Sequence, residues 1–350
     1  MTERTKELLL RLRTDRTLSE CSYLELIRAY SEESARFAAG LALSEKERIY
    51  GKDIYIRGLI EITNICKNDC RYCGIRKSNK ACRRYRLTEE EILSCCEKGF
   101  ELGFRTFVLQ GGEDGYFTDS VLVPLIKEIK DRYPQCAVTL SLGERSRESY
   151  EALYNAGADR YLLRHETADS CHYSLLHPEN LTLENRIRCL RDLKDIGFQV
   201  GCGFMVGSPF QKDEYIAKDL KFIEEFSPDM CGIGPFIPHR DTEYRDCSAG
   251  SVDLTCYLLS IIRLIKPTIL LPATTALATL CEKGREKAIL SGANVIMPNL
   301  STDEAKENYT LYNNKLTTGA EDAAALNILK TQIAAVGASI VYLRGDPRKD

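Results

Sequence analysis

Eight short apolar runs, each followed by a longer stretch of helical periodicity, constrain this chain more than any other feature. They fall at 54–62, 105–110, 137–143, 159–165, 199–205, 230–236, 268–274 and 293–297. Runs of this length between amphipathic segments read as strands joined by return helices. Eight such units predict an α/β fold, a (βα)8 TIM-type barrel. The punctuation agrees. Gly103, Gly157, Gly197 and Gly292 stand just before apolar runs, where a returning helix commonly ends in a left-handed residue. Thr88 and Glu91 have the spacing of a capping box and should open the first barrel helix. Residues 1–50 read as an N-terminal helical extension and 51–312 as the barrel. Residues 313–350 read as a C-terminal helical segment packed on it: a loop, a helix near 320–336 and an irregular tail through Gly345, Asp346 and Pro347. No low-complexity linker interrupts the chain, so one domain is expected.

The charge balance excludes some functions. With 48 basic and 51 acidic residues the formal charge is -3, and no field of one sign points to nucleic acid or an anionic membrane. Met1 to Arg16 alternates charges with leucines, unlike a signal peptide, and no apolar run approaches the roughly 20 residues of a membrane span. A cytoplasmic location is expected. The fifteen cysteines are odd in number and scattered, unlike a disulfide scaffold. Most, such as Cys189 and Cys256, read as small buried hydrophobes.

Cys66, Cys70 and Cys73 are different. They lie in the run EITNICKNDCRYCG, residues 61–74, just after the first expected strand, at the barrel face where active sites occur. Three thiolates at spacings of four and three can wrap one inorganic centre, and thiolates are the usual ligands of iron–sulfur clusters. A cubane has four irons, so three ligands would leave one iron open. The alternative is a structural zinc site with Cys82 as fourth ligand.

Two further strand ends carry polar groups. Gln110 is followed by Gly111, Gly112, Glu113 and Asp114. The glycines allow close backbone approach and the acids accept hydrogen bonds from an ammonium group. In the fourth run, alternation places Arg160, Arg164 and Glu166 on one face. Outward, they would be solvated or paired with helix carboxylates. Inward, two arginines would be costly to bury without counter-charges, and an anionic ligand is expected.

The CxxxCxxC loop, with Tyr72 before its last cysteine, resembles the signature of the radical S-adenosylmethionine (SAM) superfamily. Gly143-Glu144, YLLRHET at 161–167, GIGPFIPH at 232–239, PATT at 272–275 and ANVIMPN at 293–299 resemble more specifically the E-type maturases of [FeFe]-hydrogenase, over about residues 50 to 312. Biotin synthase and methylornithine synthase share these runs less well; a radical enzyme of either type on another small carboxylate-bearing substrate is the alternative.

The resemblance implies one [4Fe-4S] cluster on Cys66, Cys70 and Cys73, and SAM chelating the open iron. An electron from the reduced cluster then cleaves the sulfonium to a 5'-deoxyadenosyl radical. It implies cofactor contacts at Tyr72, Gly111, Gly112, Glu113, Asp114, Ser141, Glu166, Arg186 and Met297, with Arg186 pairing the methionyl carboxylate. It implies an inner cavity lined by Arg160, Arg164, Thr274, Thr275 and Tyr309, with His239 as an added candidate unless it is merely a loop histidine. The implied substrate is a small organometallic compound, a cysteine-bound Fe(CO)2(CN) precursor. The implied partners are an electron donor such as ferredoxin or flavodoxin and, transiently, the other hydrogenase maturases. One departure stands out. Several members of the family carry a second cluster near the carboxyl end, but the last cysteine here is Cys281 and 315–330 has none.

Overall fold

The computed structural model describes residues 1–348. Parallel strands form a ring. Strand one is interrupted at Arg57, giving β1 (Asp53–Ile56) and β2 (Gly58–Thr63). It is followed by β3 (Thr106–Gly111), β4 (Ala137–Ser141), β5 (Arg160–Leu162), β6 (Gln199–Cys202) with its continuation β7 (Met205–Val206), and β8 (Met230–Cys231) with β9 (Gly234–Pro235). β2, β3, β4, β5, β6 and β8 pair in that order. The seventh position is reduced to bridges from Leu270 to Met230 and from Pro272 to Val295. β10 (Val295–Ile296) then pairs with β1 and closes the barrel. The expected (βα)8 architecture is present, with six of its eight staves joined as a continuous ladder.

The helices outside it are α4 (Glu89–Glu101), α5 (Asp119–Arg132), α6 (Arg147–Asn155), α7 (Ser170–Leu176), α8 (Leu183–Ile196), α9 (Asp213–Phe226), α10 (Val252–Ile265), α11 (Thr275–Leu280), α12 (Gly284–Leu290), α13 (Asp303–Asn308) and α14 (Leu326–Ala335), preceded by α1 (Glu3–Asp15), α2 (Glu20–Arg28) and α3 (Glu32–Tyr50). The capping box forms: Glu91 N donates to Thr88 Oγ1 at 3.2 Å and Thr88 N to Glu91 Oε2 at 2.7 Å. Gly103, Gly157, Gly197 and Gly292 have φ of 95°, 109°, 109° and 97°. α3 packs on α10 and α2 on α9, so the first three helices cover outer helices and not the barrel interior.

The tail is irregular from 342 to 348, but a short strand precedes that stretch. After α14, β11 (Ser339–Val341) pairs with β1 in parallel, because the lower half of strand one would otherwise expose an unpaired edge where β3 pairs only with β2. Residues 344–346 then close the lower end of the barrel. This corrects the expectation for Arg160. Its side chain does point inward, but it is fully buried at the lower end. It donates to Asp346 Oδ1 at 2.6 Å, Arg344 O at 2.9 Å, Gln199 Oε1 at 2.6 Å and Thr106 Oγ1 at 3.0 Å. The counter-charge that a buried arginine demands is supplied by the chain's own tail, which leaves Arg160 no part in an upper cavity.

Candidate active site

The cysteine loop leaves β2 at the upper mouth of the barrel and is held by backbone-directed side chains. The Arg84 guanidinium donates to the carbonyls of Asn64, Ile75, Arg76 and Asn79, so the loop wraps around one cation. Asn64 Nδ2 reaches Arg83 O and Asn308 O, both at 2.8 Å, while its Oδ1 accepts from Tyr85 N. Gly74 is required: a Cβ there would stand 2.1 Å from Thr310 O and 2.4 Å from the His239 ring.

Cys66, Cys70 and Cys73 are half-buried in this loop. Burial, with the neighbouring thiols, pushes Cys73 up to about 12 and Cys70 well above the ordinary thiol range, and burial with the Glu113 charge raises Cys66 as well. Three thiolates here need cationic charge to be stable, the condition an iron–sulfur centre meets, since a coordinating metal deprotonates its thiols outright. Among the described residues no three Cys, His, Asp or Glu side chains converge as they would on a single ion. Cys82 is engaged otherwise, its Sγ 3.6 Å from Asn64 Nδ2.

Beside the thiols lies the glycine–acid turn. A Cβ on Gly112 would overlap Ile65 O and Cys66 Cβ, so this turn nests directly against the cysteine loop. Glu113 Oε1 accepts from Glu144 N at 3.1 Å, and the buried Glu113 Oε2 makes no hydrogen bond, its one charged neighbour being the exposed Lys67 Nζ at 3.2 Å. Gly143, at φ 78°, leaves room for that carboxylate, which a Cβ would meet at 2.0 to 2.3 Å. Asp114 departs from its expected role. Arg86 grips it through two bonds of 2.8 Å, and Thr63 Oγ1 and Tyr116 N donate to it as well. Its acceptor positions are filled by the protein, so it ties the turn to strand one instead of facing a ligand.

Arg186, on α8, is buried. Alone, burial would weaken its charge, but Tyr173 and Glu144 outweigh burial and its pKa rises. Nε donates to Glu144 Oε1 at 2.5 Å and Nη1 to Arg164 O at 2.6 Å. Glu166 ends strand four with a left-handed φ of 65°, uncommon for a residue other than glycine and a form of strain concentrated at functional sites. Its Oε2 lies 3.1 Å from Arg164 Nη2, and neither atom has a hydrogen-bond partner. Tyr72 meets His177 edge-on, with Tyr72 Oη 3.4 Å from His177 Nε2. His177 Nδ1 is 3.0 Å from Tyr173 O, and burial holds the ring neutral, with its pKa lowered to about 3. Nδ1 therefore carries the proton and Nε2 accepts from Tyr72.

The residues expected farther inside separate into two groups. Tyr309 is buried at the mouth, its Oη 3.4 Å from Gln110 Nε2, and Thr274 Oγ1 is buried without a partner. Thr275, in contrast, donates its hydroxyl to Glu321 Oε2 at 2.8 Å and is committed to the C-terminal segment. Met297 lines an enclosed apolar cavity with Val108, Leu162, Leu270 and Val295, in the barrel interior. Ser141 ends β4 opposite Gln110, and Gly111 packs against Thr63. His239 accepts from Asp241 N at 3.2 Å through Nδ1, bonded to an amide and not a carbonyl.

The sequence reading missed Glu61, Glu144 and Lys315. Glu61 is fully buried, bonded to Lys315 Nζ at 2.5 Å and Asn299 Nδ2 at 2.8 Å. An acid in an otherwise apolar strand was the available signal. Glu144 follows a glycine after β4 just as Glu113 follows one after β3, and that parallel was readable too. Nothing in the sequence marks Lys315.

Comparison with known proteins identifies the family. The Radical SAM superfamily model matches residues 60–223. The [FeFe] hydrogenase maturase subunit HydE of Thermotoga maritima is 42% identical over 297 residues, 85% of this chain and 84% of that protein. The 3-methylornithine synthase of Methanosarcina acetivorans is 26% identical over 85% of this chain and 84% of its own length. In fold, the chain matches methylornithine synthase (PylB) with a TM-score of 0.82 at 23% identity, covering 95% of this chain and 97% of that one. It matches HydG, a maturase of the [FeFe]-hydrogenase, at 0.82 and 21%, covering 98% and 77%. The chain belongs to the radical SAM superfamily and, within it, to the family of the maturase subunit HydE. It is thus a radical SAM enzyme, of a superfamily defined by a [4Fe-4S] cluster and SAM. Among the described residues no helix is long and apolar enough to cross a membrane.

Proposed function

We propose that this enzyme matures the two-iron subcluster of [FeFe] hydrogenase, acting on a cysteine-bound Fe(CO)2(CN) precursor. The observation that carries the reading is the set of half-buried thiols beside the buried Oε2 carboxylate oxygens of Glu113 and Glu166, which accept no hydrogen bond and meet only Lys67 and Arg164 as ion-pair contacts. The 42% identity to HydE supports the substrate class. Cys66, Cys70 and Cys73 hold a single cluster. When bound, cluster and SAM together supply a reductive cleavage that yields a 5'-deoxyadenosyl radical.

The chain's own residues bind and orient. Gly112 allows close approach to the cysteine loop, and Glu113 Oε2 accepts from the ligand's ammonium group, which takes the place of the exposed Lys67 Nζ now 3.2 Å away. Arg186 spends Nε and Nη1 on Glu144 and Arg164 O, which leaves Nη2 for the methionyl carboxylate. Glu166 faces the cofactor, with Tyr72 and Ser141 at its edge. Arg164, Thr274 and Tyr309 offer donors to a substrate bearing carboxylate and cyanide groups, and fix its sulfur side toward the radical, a matter of positioning. A ferredoxin or flavodoxin supplies the electron in the cytoplasm, and the substrate comes from another maturase.

Anaerobic reconstitution should give about four irons per chain, as one cluster. With a reductant the protein should release 5'-deoxyadenosine and, with its partner maturases, activate apo-hydrogenase. Two intact clusters per chain would refute the single-cluster reading. Cofactor cleavage without activation, accompanied by turnover of an amino acid such as lysine, would move the assignment toward methylornithine synthase.

A further inference from the structure

Strand four ends in a buried histidine–carboxyl couple that none of the roles above uses. His165 and Asp219 are both completely buried, and His165 Nε2 lies 3.2 Å from Asp219 Oδ1. Each also reaches a backbone amide. Gly203 N donates to His165 Nδ1 at 3.2 Å, and Ala168 N donates to Asp219 Oδ1 at 2.5 Å. Because Nδ1 accepts, Nε2 carries the proton and donates to Asp219. The couple thus grips the turn on both sides of Glu166: His165 precedes it, Ala168 follows two residues later, and Glu166 N itself bonds Gly203 O at 3.0 Å.

We infer that His165 and Asp219 are positioning residues that lock the left-handed backbone of Glu166 and so aim its carboxylate into the cofactor site. The inference rests on the reading of Glu166 as a cofactor contact. A glutamate at φ 65° relaxes toward ordinary backbone unless its surroundings over-determine it. Here four hydrogen bonds join residues 165–168 to α9 and to Gly203 at the end of strand five. Burial disfavours charge on both partners, lowering His165 to about 3 and pushing Asp219 upward, and Asp219 Oδ1 is the atom that accepts from both His165 and Ala168. A neutral amide can therefore replace the acid, because Oδ1 needs only to accept.

Asp219→Asn should behave like the wild type and Asp219→Ala should not. In Asp219→Ala, hydrogen exchange at the amides of 166–168 should rise roughly ten-fold or more while the other strand ends stay protected. Its dissociation constant for SAM, measured on protein with full iron content, should weaken roughly ten-fold. Adding Glu166→Ala should weaken it no further, since residues acting through one another are non-additive. If Asp219→Ala does not fold, His165→Asn removes the donor to Asp219 and should show the same exchange pattern. Additive effects on affinity, or unchanged exchange at 166–168, would overturn the inference. Wild-type SAM affinity in Glu166→Ala alone would instead refute Glu166 as a cofactor contact, and exchange would still decide whether the couple locks the turn.

Discussion

The two ends of the barrel solve the same electrostatic problem in opposite ways. Arg160 and Arg164 stand four residues apart on one strand, yet Arg160 is saturated by Asp346, Arg344 O, Gln199 and Thr106, while the buried Nε and Nη2 of Arg164 make no hydrogen bond and Nη2 meets only the Glu166 carboxylate, as an ion pair at 3.1 Å. The lower end is closed by the chain's own tail. The upper end keeps buried groups without a hydrogen bond on Glu113, Arg164, Glu166 and Thr274, the Oε2 atoms of the two carboxylates held only by ion-pair contacts to Lys67 and Arg164, together with the strained backbone of Glu166. Buried polar atoms are nearly always paired, so a cluster of exceptions marks where something else completes the set. Stability resides at one mouth and chemistry at the other.

The largest effect should come from the upper mouth. Cys70→Ala removes one of the three thiols proposed to hold the cluster and should abolish 5'-deoxyadenosine formation; a wild-type rate in that variant would break the contrast at its root. Next, Arg164 and Arg160 are compared directly as methionine variants. Arg164→Met should keep its cluster and uncoupled cofactor cleavage but lose hydrogenase activation in a coupled assay. Arg160→Met should lose about 2–4 kcal/mol in denaturant unfolding, because it strands Asp346, which is itself partly exposed. The folded fraction of Arg160→Met should retain activity, and loss of activation without loss of stability would place Arg160 in the substrate site after all.

Arg186→Ala should weaken SAM binding roughly ten-fold, since one charge-assisted hydrogen bond is worth about 1.5–3 kcal/mol. Equilibrium titration reads this, and an unchanged constant would remove Arg186 from the site. The smallest effect is a pH dependence at the lower end. Burial alone would raise the Asp346 pKa, but Arg344, Arg160 and Gln199 outweigh it and hold it below the carboxylate range. A depressed folded pKa contributes stability above the unfolded value near 3.9 that is lost as pH falls below it. Stability should therefore decline from about pH 4 downward, with a shallower decline in Asp346→Asn; equal slopes would show that the lower plug is not electrostatic.

Much of this was legible because it is local. The capping box at Thr88 and Glu91 and the left-handed glycines at helix ends depend on neighbours a few residues away. The eight strands depend on periodicity, and the cysteine spacing is its own signal. Arg160 shows where this stopped. Alternation correctly turned it inward, but depth along the barrel axis, and the arrival of a tail 186 residues later, are not written in a strand's pattern. The same holds for Thr275, whose hydroxyl is taken by Glu321, and for Asp114, enclosed by Arg86.

The sequence by itself determined the barrel, the cluster-bearing loop and the family, because apolar period, turn chemistry and ligand spacing act over short distances and leave patterns in the chain. Only the tertiary structure decided which inward charges are spent on the protein and which remain for a ligand. That choice depends on which distant segments arrive: the tail below Arg160, Glu144 beside Arg186, Lys315 upon Glu61. A buried charge is satisfied or left open by groups 42 to 254 residues away, and nothing in its own neighbourhood of sequence records the outcome.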